Sequence, residues 1–139
     1  MQPNEGITIL LIDDDTVDVM GIKRAFGRFS PDNPIVVASN GQEALEKLRD
    51  GKSVPRPYLV LLDLNMPRMN GFEFLAAARR DPALSDSIVF VLTTSLAEED
   101  KKKAYAHNIS GYIAKAGGRE GFLNAAELLE QYSKVVELP

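Results

Sequence analysis

Five side chains of this 139-residue chain combine into one chemistry: the carboxylates of Asp13, Asp14 and Asp63, the hydroxyl of Thr93 and the amine of Lys115. Each follows a short apolar run. Two carboxylates about 4 Å apart repel by about 4 kcal/mol at an effective dielectric near 20. Three gathered in one place would stay partly protonated or splay apart unless a cation held them, and one lysine offsets only part of their charge. With oxygen donors alone, a small hard divalent ion such as Mg2+ fits best, and it keeps positions open for phosphoryl oxygens. The reaction that uses all of these groups is phosphoryl transfer to Asp63, by in-line attack to give an acyl phosphate. Lys115 and the ion would neutralise the equatorial oxygens, and Thr93 would hydrogen-bond the new phosphoryl group. Taken singly, each residue has a plainer role. Asp63 is then a turn or helix cap, and Asp13 to Asp15 a solvated helix start where acids are favoured. Thr93 is a turn hydroxyl, and Lys115 is surface charge.

The elements that would bring these groups together are legible. Tyr58 to Leu62 is unbroken apolar sequence, the pattern of a strand buried on both faces of a parallel sheet. It stops at Asp63, and the chain turns through Asn65, Pro67 and Asn70-Gly71. Ile7 to Ile12 is a second such run, ending on Asp13, Asp14 and Asp15. Ser87 to Leu92 is a third, ending on Thr93, Thr94 and Ser95. Ile35 to Ala38 and Gly111 to Ala114 read as shorter strands, the latter ending on Lys115.

Helical patterns lie between the strands. Val17 to Phe29 is apolar on one side, with Gly21 and Gly27 each weakening it by about 1 kcal/mol. The cluster Ser30 to Pro34 is a turn. Asn40 with Glu43 marks a capping box for a helix to Asp50, and Ser95 with Glu98 another for a helix to about His107. The latter is so charged (Glu98 to Lys103) that its anchoring should be weak. Phe72 to Arg80 and Glu120 to about Glu137 complete five helices. Alternation of this kind implies right-handed crossovers and an α/β, doubly wound, five-stranded parallel sheet. All strand carboxyl ends then share one edge, where open α/β sheets bind ligands.

Composition narrows the function. The length suits one domain, residues 1–139, with neither repeat nor linker. A net charge of −4 without a basic stripe argues against nucleic acid. The absence of cysteine excludes disulfides and thiolate metal sites, and His107 is the single histidine. Neither a signal peptide nor a spanning apolar stretch is visible, so no membrane partner and a cytoplasmic location are expected.

Together these residues resemble the receiver domain of bacterial response regulators, the phosphoacceptor half of two-component signalling. The motifs that carry the resemblance are Ile-Leu-Leu-Ile-Asp13-Asp14, Leu-Leu-Asp63-Leu-Asn-Met-Pro-x-Met-Asn-Gly71, Val-Leu-Thr93-Thr-Ser and Gly111-Tyr-Ile-Ala-Lys115. The resemblance implies the flavodoxin-like strand order 2-1-3-4-5. It implies that Asp14, Asp63 and the backbone carbonyl of Asn65 bind Mg2+ directly and that Asp13 acts through water. Asp63 would be the phosphorylation site, Thr93 and Tyr112 the switch pair, and Lys115 the phosphate-binding lysine. A sensor histidine kinase or a phosphotransfer protein is the implied partner. The proline-containing loop before Tyr58 and the Leu-Thr-Thr-Ser run look most like small receivers that partner phytochrome-type kinases.

One departure stands out. The family usually has a cis proline after its lysine, and here the residue is Ala116. A non-proline cis bond costs about 2.5–4 kcal/mol, so a trans bond with a shifted loop, or a strained bond, is expected. No output domain follows in the sequence, so output should be a protein contact or onward relay. The wide apolar stripe of the last helix suggests a homodimer through Leu128, Tyr132 and Val135, the alternative being that all three pack on the sheet. Two rival functions are a phosphorylation-independent pseudo-receiver and an aspartyl-nucleophile phosphatase. The phosphatase needs a second acid two residues after the nucleophile, where this chain has Asn65.

Overall fold

The computed structural model describes residues 6–29, 31–66 and 69–139. The expected turn residues Ser30 and Pro67 lie outside the described residues, as does the amino-terminal segment. In chain order the elements are β1 (Thr8–Ile12), α1 (Thr16–Phe29), β2 (Ile35–Ala38), α2 (Gly41–Arg49) and β3 (Tyr58–Leu62). They continue with α3 (Gly71–Arg80), β4 (Val89–Thr93), α4 (Glu98–Ala106), β5 (Gly111–Ala114) and α5 (Arg119–Val135). All strand pairs are parallel, in the order β2-β1-β3-β4-β5.

The continuous apolar runs have their reason in this order. β1, β3 and β4 are the three inner strands, and every residue in them is buried. Successive side chains point to opposite faces, so both faces must be apolar. Leu10, Ile12, Val60 and Leu62 meet α2 and α3 through Ala44, Leu45, Phe74 and Leu75. Ile9, Leu11, Leu59 and Leu61 meet α1 and α5 through Ile22, Phe26, Ala126 and Leu129. Gly21 weakens α1 locally but is where α1 meets α5. A Cβ there would lie 2.8 Å from the Phe122 ring.

Three expectations are corrected. Ser95 does not cap α4. The helix starts later, its N-cap is Ala97 with no side-chain bond, and the Ser95 hydroxyl donates to Asp100 at 2.5 Å instead. The charged composition of α4 is matched by its burial, since Ala104 alone is buried. β4 begins at Val89 rather than Ser87, because the Ser87 N–H is held in a turn on the Leu84 carbonyl and its own carbonyl accepts from Arg79. α5 ends at Val135, short of Glu137. Asn70, read from sequence as a turn residue, also caps α3, in a reciprocal capping box with Glu73.

Candidate functional site

The acids stand where the sheet ladder ends. The Asp13 N–H donates to the Ala38 carbonyl (3.0 Å) and the Asp63 N–H to the Ile12 carbonyl (2.9 Å), which fixes both backbones side by side. The run Asp13 to Asp15 divides its labour. Asp15 caps α1, its Oδ1 accepting from the Val17 and Asp18 N–H groups. Asp13 is 2 % exposed and faces the rim, while Asp14 is exposed beside it. The turn after β3 is held by the Gly71 N–H on the Leu64 carbonyl (3.0 Å) and the Gly41 N–H on the Met69 carbonyl (3.1 Å). Neither glycine tolerates a side chain: a Cβ on Gly71 would lie 2.8 Å from the Asp63 carbonyl oxygen.

From the other side of the sheet, Thr93 ends β4 fully buried, and the Lys115 N–H donates to its carbonyl at 2.7 Å. The Lys115 side chain crosses to β1. Its Nζ donates to Asp13 Oδ2 at 2.8 Å and to Asp18 Oδ2 at 2.9 Å, and lies 3.6 Å from Asp63 Oδ2. Carboxylate oxygens of Asp13, Asp14 and Asp63 all lie within 4.8 Å of one another. At the preferred bond length of Mg2+, adjacent ligands stand about 3.0 Å apart and opposite ones about 4.2 Å, so the acids are near enough to share one small cation directly or through water. Five sequence-predicted residues thus meet at one rim. Asn65 adjoins it, its N–H reaching toward Asp63 Oδ1 at 3.4 Å.

The carboxylates are not equivalent. Asp13 has both oxygens committed, Oδ1 to the Asp15 N–H (2.9 Å) and Oδ2 to Lys115. Asp63 receives the long Asn65 contact, the 3.6 Å ion pair and a hydrogen bond from the Thr93 hydroxyl. Burial raises the carboxyl groups of Asp13 and Asp63 above the usual range; the Lys115 charge opposes this in Asp63, and the hydrogen bond from Lys115 in Asp13. Burial pulls the Lys115 amine down, but the hydrogen bonds to Asp13 and Asp18 outweigh it, and the amine ends above its ordinary value. The rim therefore holds carboxylates short of positive charge and a lysine fixed in its cationic form.

Tyr112 is half-buried and donates from its hydroxyl to the Ser95 carbonyl at 3.0 Å, tying β5 to the β4–α4 loop. Among the described residues the one cis peptide is Arg56–Pro57, so Lys115–Ala116 is trans. The loop that replaces the expected proline turn runs through Gly117 (φ +77°) and Gly118 (φ +54°), both in the left-handed region. The first turn of α5 closes on it so tightly that a Cβ on Gly121 would lie 1.9 Å from the Ala116 carbonyl oxygen.

On α5, Leu128 is 50 % and Val135 75 % exposed. Tyr132 instead turns inward, edge-on to Phe90 with ring centroids 5.0 Å apart. Two participants escaped the sequence reading. Asp18 is the second hydrogen-bond acceptor of Lys115, and its only signal was an acid in the first turn of the helix leaving the rim. Arg79 donates to the carbonyls of Ser85, Ser87, His107 and Asn108, joining the end of α3 to the loops on either side of α4 and β4.

Comparison with known proteins agrees with this geometry. The family model for the response regulator receiver domain matches residues 9–127. A probable methanogenesis regulatory protein, FilR2 of Methanothrix harundinacea, is 33 % identical, the alignment covering 95 % of this chain and 86 % of that one. The phosphorylated cyanobacterial phytochrome response regulator RcpA superposes with a TM-score of 0.86 at 32 % identity, over 95 % of this chain and 97 % of the other. The Mn2+-bound form of the response regulator Rcp1, a protein known from Synechocystis, superposes with a TM-score of 0.83 at 29 % identity, over 95 % and 98 %. The chain belongs to the response regulator receiver family of two-component signalling, with phytochrome-associated regulators among its near relatives.

Proposed function

We propose that this protein accepts a phosphoryl group on Asp63 from a histidine kinase or phosphotransfer protein, in the presence of Mg2+, and signals through the resulting change in its protein contacts. The observation that carries this reading is the inequality among the acids. Asp13 is spent on Lys115 and on the Asp15 N–H, whereas Asp63 is buried, is met by the Thr93 hydroxyl and by longer contacts from Asn65 and Lys115, and is adjacent to the exposed Asp14. Asp14, Asp63 and the Asn65 carbonyl would hold the ion, with Asp13 one water away. Bound there, the ion would supply positive charge to the equatorial phosphoryl oxygens. Lys115 would supply a second charge from the opposite side, and Asp63 would attack in line as the carboxylate. The protein would then be a phosphoacceptor with at most self-phosphotransfer and autodephosphorylation, rather than a turnover enzyme.

The output follows from what the phosphoryl group would draw toward itself. Thr93 would turn its hydroxyl onto the new oxygens, opening space toward β5. Tyr112 would leave the Ser95 carbonyl and occupy that space. Such a change is a population shift between two packings of one fold, biased by the covalent group. The resemblance to the cyanobacterial phytochrome response regulator favours a phytochrome-type kinase as donor and a cytoplasmic setting. Among the described residues no helix is long and apolar enough to cross a membrane.

The test is direct. Wild-type protein and Asp63→Asn are incubated with Mg2+ and a small phosphodonor, and intact mass and peptide mapping follow. Wild type should gain one alkali-labile phosphoryl group on the peptide carrying Asp63, and Asp63→Asn none. Equal uptake by both, or none by wild type, overturns the reading.

A further inference from the structure

Lys115 has two hydrogen-bonded carboxylates within reach, and one of them belongs to no strand end. Asp18 lies in the first turn of α1, and its Oδ2 accepts from Nζ at 2.9 Å, nearly as short as the 2.8 Å bond to Asp13. The third carboxylate, Asp63, is further off at 3.6 Å. An ammonium has three N–H donors, and here two point away from the nucleophile.

We infer that Asp18 is a positioning residue that parks Lys115 on α1 until a phosphoryl group on Asp63 competes for it. This deepens the proposed function and rests on it.

Burial decides which bond yields. The Asp13 side chain is 1 % exposed, so losing its cation would leave an uncompensated buried charge, a severe penalty. The Asp18 side chain is 26 % exposed and lines the open groove between α1 and α5, a cavity of about 700 Å³. Water can replace the ammonium there at small cost. When phosphoryl oxygens arrive, Lys115 keeps Asp13 and exchanges Asp18 for the phosphoryl group. The exchange needs only the lysine side chain to move, since its backbone N–H stays on the Thr93 carbonyl at 2.7 Å. Asp18 thus holds the lysine by its side chain alone, and it sets how readily that lysine is surrendered.

The experiment measures the affinity of beryllofluoride, a phosphoryl analogue that binds carboxylates, at saturating Mg2+. The proteins are wild type, Asp18→Asn, Asp18→Glu, Lys115→Met and the double variant Asp18→Asn/Lys115→Met. Thermal melts of each variant report folding. Asp18→Asn should bind roughly threefold to fivefold more tightly than wild type, the upper range for an ion pair with one partly exposed member. Asp18→Glu should return toward wild type. In the Lys115→Met background the same Asp18→Asn change should have no effect, because the coupling runs through the lysine. Unchanged or weaker binding by Asp18→Asn overturns the parking role, as does a gain that persists without Lys115, since that would be loss of negative charge acting through space. Absence of binding by wild type overturns the proposed function itself and this inference with it.

Discussion

The half of the molecule built from β1, β2 and β3 and the half built from β4 and β5 are made differently. In the first, every helix that leaves a strand is capped by a side chain: Asp15 on α1, Asn40 on α2 and Asn70 on α3. In the second, α4 starts at Ala97 and α5 at Gly118, neither with a side-chain cap bond. Strand burial follows position in the sheet, with inner β1, β3 and β4 wholly buried and edge strands β2 and β5 only partly so, and the contrast between the halves therefore lies in the helices. α3 buries Phe74, Leu75 and Ala78, while α4 buries one alanine. Local opening is favoured where buried apolar contacts and caps are few. The three acids stand on the stiff half, and the hydroxyl, the aromatic ring and the lysine stand on the soft half. A site that must hold an ion at fixed distances gains from the first. A signal that must alter a surface gains from the second.

Arg79 is the bolt between the halves, so its loss should have the largest effect. Arg79→Met would strand the part-buried carbonyls of His107 and Ser87 and leave those of Ser85 and Asn108 to water, and bonds to charged groups contribute about 1.5–3 kcal/mol each before coupling. A loss of about 3 kcal/mol in urea denaturation is expected, with hydrogen exchange accelerating in α4 and β5 more than in β1 and β3. Uniform acceleration would mean that the halves open together.

A smaller effect, of opposite sign, is expected at Asp63. Burial raises its folded carboxyl above the value of 3.8 for an unperturbed group. The folded state then binds the proton more tightly than the unfolded one. This group's contribution to stability is complete below the unfolded value and is lost as pH rises through the folded value. Asp63→Asn should therefore melt higher than wild type in metal-free buffer at neutral pH, by a few degrees for about 1 kcal/mol. The advantage should vanish toward pH 4 and shrink when Mg2+ is added. An advantage independent of pH would contradict the burial argument.

The smallest effect concerns α4. Ala97→Ser supplies the missing cap and should stabilise α4 by about 0.5–1 kcal/mol. Its amides should exchange more slowly while those of α1 to α3 are unchanged. Indifference of the α4 amides would show that its softness lies in poor burial alone.

The two halves also differed in how well they were read from sequence. The stiff half was read closely, because fully buried strands and side-chain caps are local signals. Tyr58–Leu62 and Ile35–Ala38 matched the observed strands residue for residue, and Asn40 does cap α2. In the soft half β5 was read residue for residue as Gly111–Ala114, but the surroundings of α4 and α5 were read less well. Ser95 looked like a cap, but its hydroxyl is claimed by Asp100 and its carbonyl by Tyr112, a competition between three segments that no local pattern displays. Tyr132 looked like part of an exposed stripe and is instead turned onto Phe90, a contact that depends on where β4 lies under α5. The convergence of Asp13, Asp14, Asp63, Thr93 and Lys115 was legible because topology alone sends parallel strand ends to one edge. Asp18 and Arg79 were not, since their roles depend on side-chain reach across elements.

The division between a stiff reacting half and a soft reporting half is tested most directly by hydrogen exchange of the wild-type protein with Mg2+, before and after addition of a small phosphodonor. Exchange should change in the β4–α4 loop, α4, β5 and the first turn of α5, and stay constant in β1, α2, β3 and α3. Changes concentrated in α2 and α3, or spread evenly over the sheet, would contradict it.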